Sequence, residues 1–345
     1  MHAQLNDTRA VERKHCPVFV VGCHRSGTNL LYDTLLSAGG FAIYRGYLPV
    51  YKMLIPRFGS MAKLENRKRA LKAWGSSKGF RRSGLDSGEL ETKVVNECET
   101  GGDFIRIVMS EISRSQKAPR WAVYDPDNVL YIPKIKADIP EALFLHIIRD
   151  GRDVALSLKT IGGFTPLPWN GAASGLQPAA LYWEWMVRKG QRDGKRISAD
   201  YLEVRYEELV SEPRVALKRV AEFLDHDLDH DRVQQAKLGR LSEPNSSFPE
   251  ARNDSGSVHR WKSLLSTHDV ASIEAVVGPF LEELGYPLSS AEATAALALR
   301  KSLLRSYYFG LLKSKLWLKT QTPMGRLANL HTLEMWNPAG RAEAE

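Results

Sequence analysis

An α/β fold, built on a doubly wound parallel sheet of about five strands, is what this 345-residue sequence predicts. Three observations carry the prediction. Short β-branched and apolar runs recur with helix-compatible segments between them, an alternation that builds parallel βαβ units. The run at 142–148 is apolar almost throughout, as expected of a strand buried on both faces. Two of the runs lead directly into turns bearing glycine and arginine, at the strand ends where open α/β sheets bind ligands.

The first strand, 18–22, ends at Gly22. The loop Gly22-Cys23-His24-Arg25-Ser26-Gly27-Thr28 follows, then a helix through Leu36. Backbone N–H groups and the positive end of that helix would converge on an anion. Gly22 and Gly27 have the spacing of GxxxxG, but a nucleoside-triphosphate loop would continue with Lys and Ser or Thr. Thr28 and Asn29 stand there instead, so the phosphate-bridging lysine and the magnesium-ligating hydroxyl are both missing. The positive charge lies inside the loop, on Arg25. The pattern predicts a site for a phosphate-like group that needs no metal.

Further strands are expected at about 41–44, 121–125, 142–148 and 202–206. Residues 45–120 form a long helical insertion, with helices near 61–74 and 101–114 and a Ser/Gly/Arg-rich loop at 75–88. Gly- and Pro-rich residues 162–178, with Trp169, form a flap, and 240–258 is another loop. After Pro287 the composition turns strongly helical. The expected organisation is a main domain over 16–290 and a C-terminal helical extension over 291–345.

The 142–148 run ends at Arg149-Asp150-Gly151-Arg152-Asp153, with Ser157 eight positions after Arg149. A guanidinium can grip a phosphate bidentately while a hydroxyl completes its shell. The strand–GxxRSGT–helix unit and the Arg149/Ser157 spacing together resemble the sulfotransferases that use 3′-phosphoadenosine-5′-phosphosulfate (PAPS). Two later segments add to the resemblance: 202–209 with Glu212-Pro213, and the basic-Trp turn His259-Arg260-Trp261-Lys262. The resemblance covers about 16–290. It implies that Gly22, Arg25, Ser26, Gly27, Thr28 and Asn29 hold the 5′-phosphosulfate, and that Arg149 and Ser157 hold the 3′-phosphate. Tyr206 would approach the adenine, Arg260 and Trp261 would close over the nucleotide, and the 162–178 flap would cover the acceptor.

Sulfuryl transfer is an in-line displacement, and donors aimed at the departing oxygen dominate such rates. Arg25 is the catalytic candidate for that task. A base must take the acceptor's proton. Family members place a glutamate after the second strand, where this chain has Tyr44 and no carboxylate. Others place a histidine or a Lys-Thr-Pro turn after the third, where Tyr124 and Asp125 stand. Asp125 is the leading base, with a turn-capping role ahead of Pro126 as its alternative; Glu97, Glu99 and Tyr44 remain open.

Composition sets outer bounds. The apolar fraction of 43% and charged fraction of 26% fit a globular chain. Three widely spaced cysteines suggest neither a disulfide framework nor a metal cluster. With no apolar signal core in 1–15, the expectation is a cytoplasmic protein. The net charge of +8 is concentrated at 63–82 and 300–326. No nucleic-acid-binding pattern accompanies it, so nucleic acid is not an expected partner. Leu303, Leu304, Tyr307, Tyr308, Leu311, Leu312 and Leu316 form a helical stripe, read as packing on the main domain or a second subunit, with an anionic membrane surface as the rival. Two other functions compete with sulfuryl transfer: a P-loop kinase of a small molecule, disfavoured by Thr28 and Asn29, and a non-catalytic nucleotide-binding or membrane-adaptor protein.

Overall fold

The computed structural model describes residues 12–161, 175–236, 258–289 and 295–327. Among them, four parallel strands form one sheet: β1 (Val18–Gly22), β2 (Ala122–Tyr124), β3 (Leu143–Ile148) and β4 (Tyr201–Arg205). Their order is β2-β1-β3-β4. Val18 pairs with Ala122 on one side and Leu143 on the other, and Phe144 pairs with Tyr201.

Every residue of β1, β2 and β3 is buried, because helices cover both faces. Side chains alternate along each strand. Phe19, Val21, Phe144 and Ile148 pack with Phe104 and Val108 of the helix Gly101–Gln116 and with Trp183 of the helix Leu176–Gly194. Val18, Val20, Leu145 and Ile147 face Leu31 and Leu35 of the helix Thr28–Ser37 and Leu217 of the helix Pro213–Leu224. The doubly wound parallel architecture is thus the one expected.

The segment at 41–44 is not a fifth strand. It makes one bridge, Phe41 to Arg120, and Ala42 N–H donates to Arg120 O at 2.8 Å. Pairing then stops because a side-chain amide takes the place of a neighbouring strand. Gln116 Oε1 accepts from Ile43 N–H (2.7 Å), and its Nε2 donates to Ile43 O (2.9 Å). The stretch 75–88 also differs from the expected loop. It contains the short helix Lys78–Ser83, capped by Ser77, whose Phe80 packs edge-on against Trp74 at 5.4 Å.

The helix Ala295–Gln321 packs on the helices Leu176–Gly194 and Thr267–Glu283. Tyr308 and Leu312 are buried. Arg305 holds the buried Glu184 carboxylate through Nε (2.9 Å) and Nη2 (2.6 Å). The expected stripe is split by this packing: Leu304, Leu311 and Leu316 lean on the core, while Leu303 and Tyr307 are exposed, as is Trp317. No helix among the described residues is long and apolar enough to cross a membrane.

Because the strands are parallel, their carboxyl ends share one edge of the sheet. Gly22, Asp125, Arg149 and Tyr206 stand at or just beyond those four ends.

Candidate active site

The loop after β1 is shaped by two close approaches. A Cβ on Gly22 would lie 2.6 Å from Ile147 O, and one on Gly27 would lie 2.4 Å from the Tyr206 ring. Gly27 also has φ of 98°, a left-handed value that glycine adopts without steric cost. Ser26 N–H donates to Cys23 O at 3.1 Å, closing the turn, and the helix Thr28–Ser37 begins directly after it. The first N–H groups of that helix face the loop, as in anion cradles. The Ser26 hydroxyl is buried with no hydrogen-bond partner. Arg25 is held at φ of 70°, an uncommon conformation for a residue with a side chain. Strain of this kind persists where the surroundings over-determine it.

Arg25 Nε donates to Ser157 Oγ at 2.9 Å. Arg149 Nη1 donates to Arg25 O (3.4 Å), its Nη2 meets Asp153 Oδ2 (3.4 Å), and its guanidinium lies 4.3 Å from the Tyr206 ring centroid. Arg260 joins them from a distant turn. Burial pulls the Arg25 pKa down, and the charges of Arg149 and Arg260 pull it further. Three guanidiniums thus face one another in a largely buried place, an arrangement that an anion of several charges would relieve.

The Arg260 turn is anchored from beneath. Trp261 N–H donates to Asp153 Oδ1 (2.9 Å) and its indole Nε1 to Asp150 Oδ2 (3.1 Å). Its ring stacks on Arg152 at 3.8 Å, and Arg152 pairs with Glu274 at 2.6 Å. Trp261 is buried in this network.

A second constellation lies beside the loop. Asp125 ends β2 and is 2% exposed. Its Oδ1 accepts from Asp127 N–H (3.1 Å), capping the turn Pro126–Leu130, and its Oδ2 is buried without a partner. Burial, and then the neighbouring Asp127 charge, push the Asp125 carboxyl up to about 6. Asp127 moves the other way. Burial opposes its charge, but Lys52 and His24 outweigh that and hold it well below the usual carboxylate range. Asp127 Oδ2 receives His24 Nε2 at 3.1 Å and is ion-paired with Lys52. Lys52 in turn is held above its usual range, its burial outweighed by Asp127. Tyr47 and Tyr131 close the site on this side.

The sulfotransferase family model matches residues 17–230, which include all four strands and both loops. The chain belongs to the sulfotransferase family. Among its relatives is a Caenorhabditis briggsae protein named provisionally as a protein-tyrosine sulfotransferase. It is 24% identical over 290 residues, covering 80% of this chain and 90% of that protein. Protein-tyrosine sulfotransferase A of Caenorhabditis elegans is 25% identical over 287 residues, covering 78% and 67%. In fold, the chain is similar to a sulfotransferase domain from the curacin biosynthetic pathway, with a TM-score of 0.53, 14% identity and coverage of 79% and 98%.

In this sulfotransferase, the structure brings together the loop residues Gly22 to Asn29, Arg149, Ser157, Tyr206 and Arg260. The Trp261 ring is packed on Arg152 and bonded to Asp150, which makes it an anchor for the Arg260 turn. Asp125 occupies its alternative, turn-capping role, with both carboxylate oxygens away from solvent. Tyr44 is buried and donates to Gly79 O (3.2 Å), so its hydroxyl is engaged elsewhere. Glu97 and Glu99 are exposed around the end of the helix Ser87–Glu97. The expected acceptor flap falls mostly at 162–174, outside the described residues. Sequence reasoning missed His24, Lys52 and Asp127. His24 lies inside the recognised loop and Asp127 two places after Asp125; Lys52 carries no local signal.

Proposed function

We propose that this enzyme transfers the sulfuryl group of PAPS to a hydroxyl acceptor by in-line displacement without a metal. The observation that carries the reading is the convergence of Arg25, Arg149 and Arg260 with Ser157 at the ends of β1 and β3. Three cations, loop amides and a helix N-terminus suit a nucleotide bearing a phosphosulfate and a separate phosphate. The buried Ser26 hydroxyl, which lacks a partner, fits the same ligand.

In this reading the Gly22–Asn29 loop holds the phosphosulfate, Arg149 and Ser157 hold the 3′-phosphate, and Tyr206 lies toward the base. Arg25 meets the charge that develops as the bridging oxygen departs. One preorganised donor of that kind is typically worth about 10²–10³-fold in rate. Asp125 stays buried and sets the field around Asp127. A phenolic hydroxyl is the first acceptor to assay, because two relatives carry the name protein-tyrosine sulfotransferase. The catalytic unit is taken as 16–290, with 291–345 as an extension packed upon it. The three cysteines are unpaired, which suits a reducing, cytoplasmic compartment. The exposed Leu303, Tyr307 and Trp317 would give peripheral contact with an anionic membrane.

Calorimetry with adenosine 3′,5′-bisphosphate and with ATP, each with and without magnesium or a chelator, tests the donor. Tight, magnesium-independent binding of the bisphosphate is expected. Preference for magnesium-ATP would overturn the reading in favour of a kinase.

A further inference from the structure

We propose that His24, held by Asp127, is the group that takes the acceptor's proton. The inference rests on the sulfuryl-transfer reading above but adds a residue that reading does not supply. A general base must be reachable by the acceptor, adjacent to the reacting sulfur, and fixed in orientation. His24 meets all three conditions. Its side chain is 36% exposed, against 2% for Asp125. It precedes Arg25 in the loop that would hold the phosphosulfate. Its Nε2 is 3.1 Å from Asp127 Oδ2.

Asp127 is a positioning residue. It is itself fixed by the ion pair to Lys52 and by its place in the turn capped by Asp125. An ionised carboxylate accepts only, so Nε2 must carry its proton toward Asp127. The lone pair is thereby left on Nδ1. The arrangement is the base-plus-orienter logic that recurs in nucleophilic catalysis, reached here from three separate segments of chain. The charged groups gathered with His24 around Asp127 are Lys52 and Asp125, and from the helix Ala295–Gln321 the charges of Lys315 and Lys319 also reach Asp127.

The step balances as follows. The acceptor oxygen forms a bond to sulfur as the bond between sulfur and the bridging phosphate oxygen breaks. The electron pair leaves with adenosine 3′,5′-bisphosphate. The acceptor's proton passes to His24 Nδ1, and the imidazolium faces the Asp127 carboxylate until it releases the proton to solvent.

The test compares two phenols. 4-Methylphenol needs a base, whereas 4-nitrophenol is largely ionised at pH 8 without one. His24→Ala should lower transfer to 4-methylphenol by about 10²–10⁴-fold, and transfer to 4-nitrophenol by less than about 10-fold on the same logic. His24→Gln, whose amide can still reach Asp127, should behave alike and guards against a misfolded loop. Asp127→Asn should show the same ordering with a smaller loss. Asp127→Asn, which lies outside the phosphosulfate loop, should bind adenosine 3′,5′-bisphosphate as the wild type does, and His24→Ala and His24→Gln should bind it alike. Equal losses on both phenols, or an acidity-dependent loss in Asp125→Asn alone, would overturn this inference and leave the donor reading standing. A wild-type protein that does not bind the bisphosphate would remove the donor reading, and this inference with it.

Discussion

Arg25 reaches from the loop after β1 to Ser157 on the helix after β3, Nε to Oγ, at 2.9 Å. This bond ties together the two places where the sequence put separate phosphate sites. On the proposed reading, Ser157 has two tasks, to complete an anion shell and to aim Arg25. The two proposed phosphate subsites would then be coupled, and a substitution at one should be felt at the other.

Arg149→Ala should weaken binding of adenosine 3′,5′-bisphosphate far more than binding of adenosine 5′-monophosphate. Loss of a charge-assisted contact typically costs about 1.5–3 kcal/mol, or roughly 10- to 150-fold in affinity. Ser157→Ala should weaken both nucleotides, the bisphosphate more, because Arg25 loses its anchor as well. Calorimetric titration of the two ligands gives the comparison. Equal losses in Arg149→Ala would show that this arginine does not read the 3′-phosphate.

Arg25→Ala should lower turnover more than it weakens product binding, since its charge matters most where charge develops. The expected loss in kcat is about 10²–10³-fold at saturating donor. A variant with a normal saturated rate would contradict the role.

How much of this was legible beforehand depended on distance along the chain. The loop from Gly22 to Thr28 and the Arg149–Ser157 pair are local patterns at strand ends, and a parallel sheet brings such ends together. The number of strands was not legible, because Gln116 replaces a strand with a single amide. Nor was the meeting of His24, Lys52 and Asp127, which come from three segments and are joined only through space. Trp261 read as a surface cover because its partners, Asp150 and Asp153, sit more than a hundred positions earlier.

Asp125 sets a pH dependence of stability. Its folded pKa of about 6 exceeds the ordinary unfolded value, so the folded state holds this proton more tightly. Stability is therefore lost as pH rises between about 4 and about 6, and stays lost above that. Asp127, whose pKa is depressed, acts oppositely and loses its contribution on acidification. Asp125→Asn keeps an acceptor for the turn and removes the buried charge. It should stabilise the protein at pH 8 on the order of 1–3 kcal/mol and change little at pH 4. Urea midpoints at the two values measure this; a gain independent of pH would reject the assignment.

The two faces of the C-terminal helix should respond differently. Leu312→Ala, at a buried position, should cost about 2–5 kcal/mol of stability. Leu303→Ser and Trp317→Ser, on the exposed face, should leave stability within about 0.5 kcal/mol. If that face meets anionic vesicles, the same two substitutions should reduce co-sedimentation at low salt. Full-length protein that ignores such vesicles would assign the helix to packing alone.

The Trp261 anchor means that the proposed donor site would draw on chain beyond residue 230, where the family match stops. Asp150, just before the helix Gly151–Ile161, and Asp153 within it hold this turn, so on the proposed reading nucleotide occupancy and the order of 258–289 should be thermodynamically linked. A ligand at one hundred times its Kd adds about 2.7 kcal/mol to the folded state. Through Arg260, part of that gain should appear as slowed hydrogen exchange in a segment about a hundred residues away in sequence from the strand that binds it. Saturating the nucleotide pocket should in this way tighten the closing third of the enzyme.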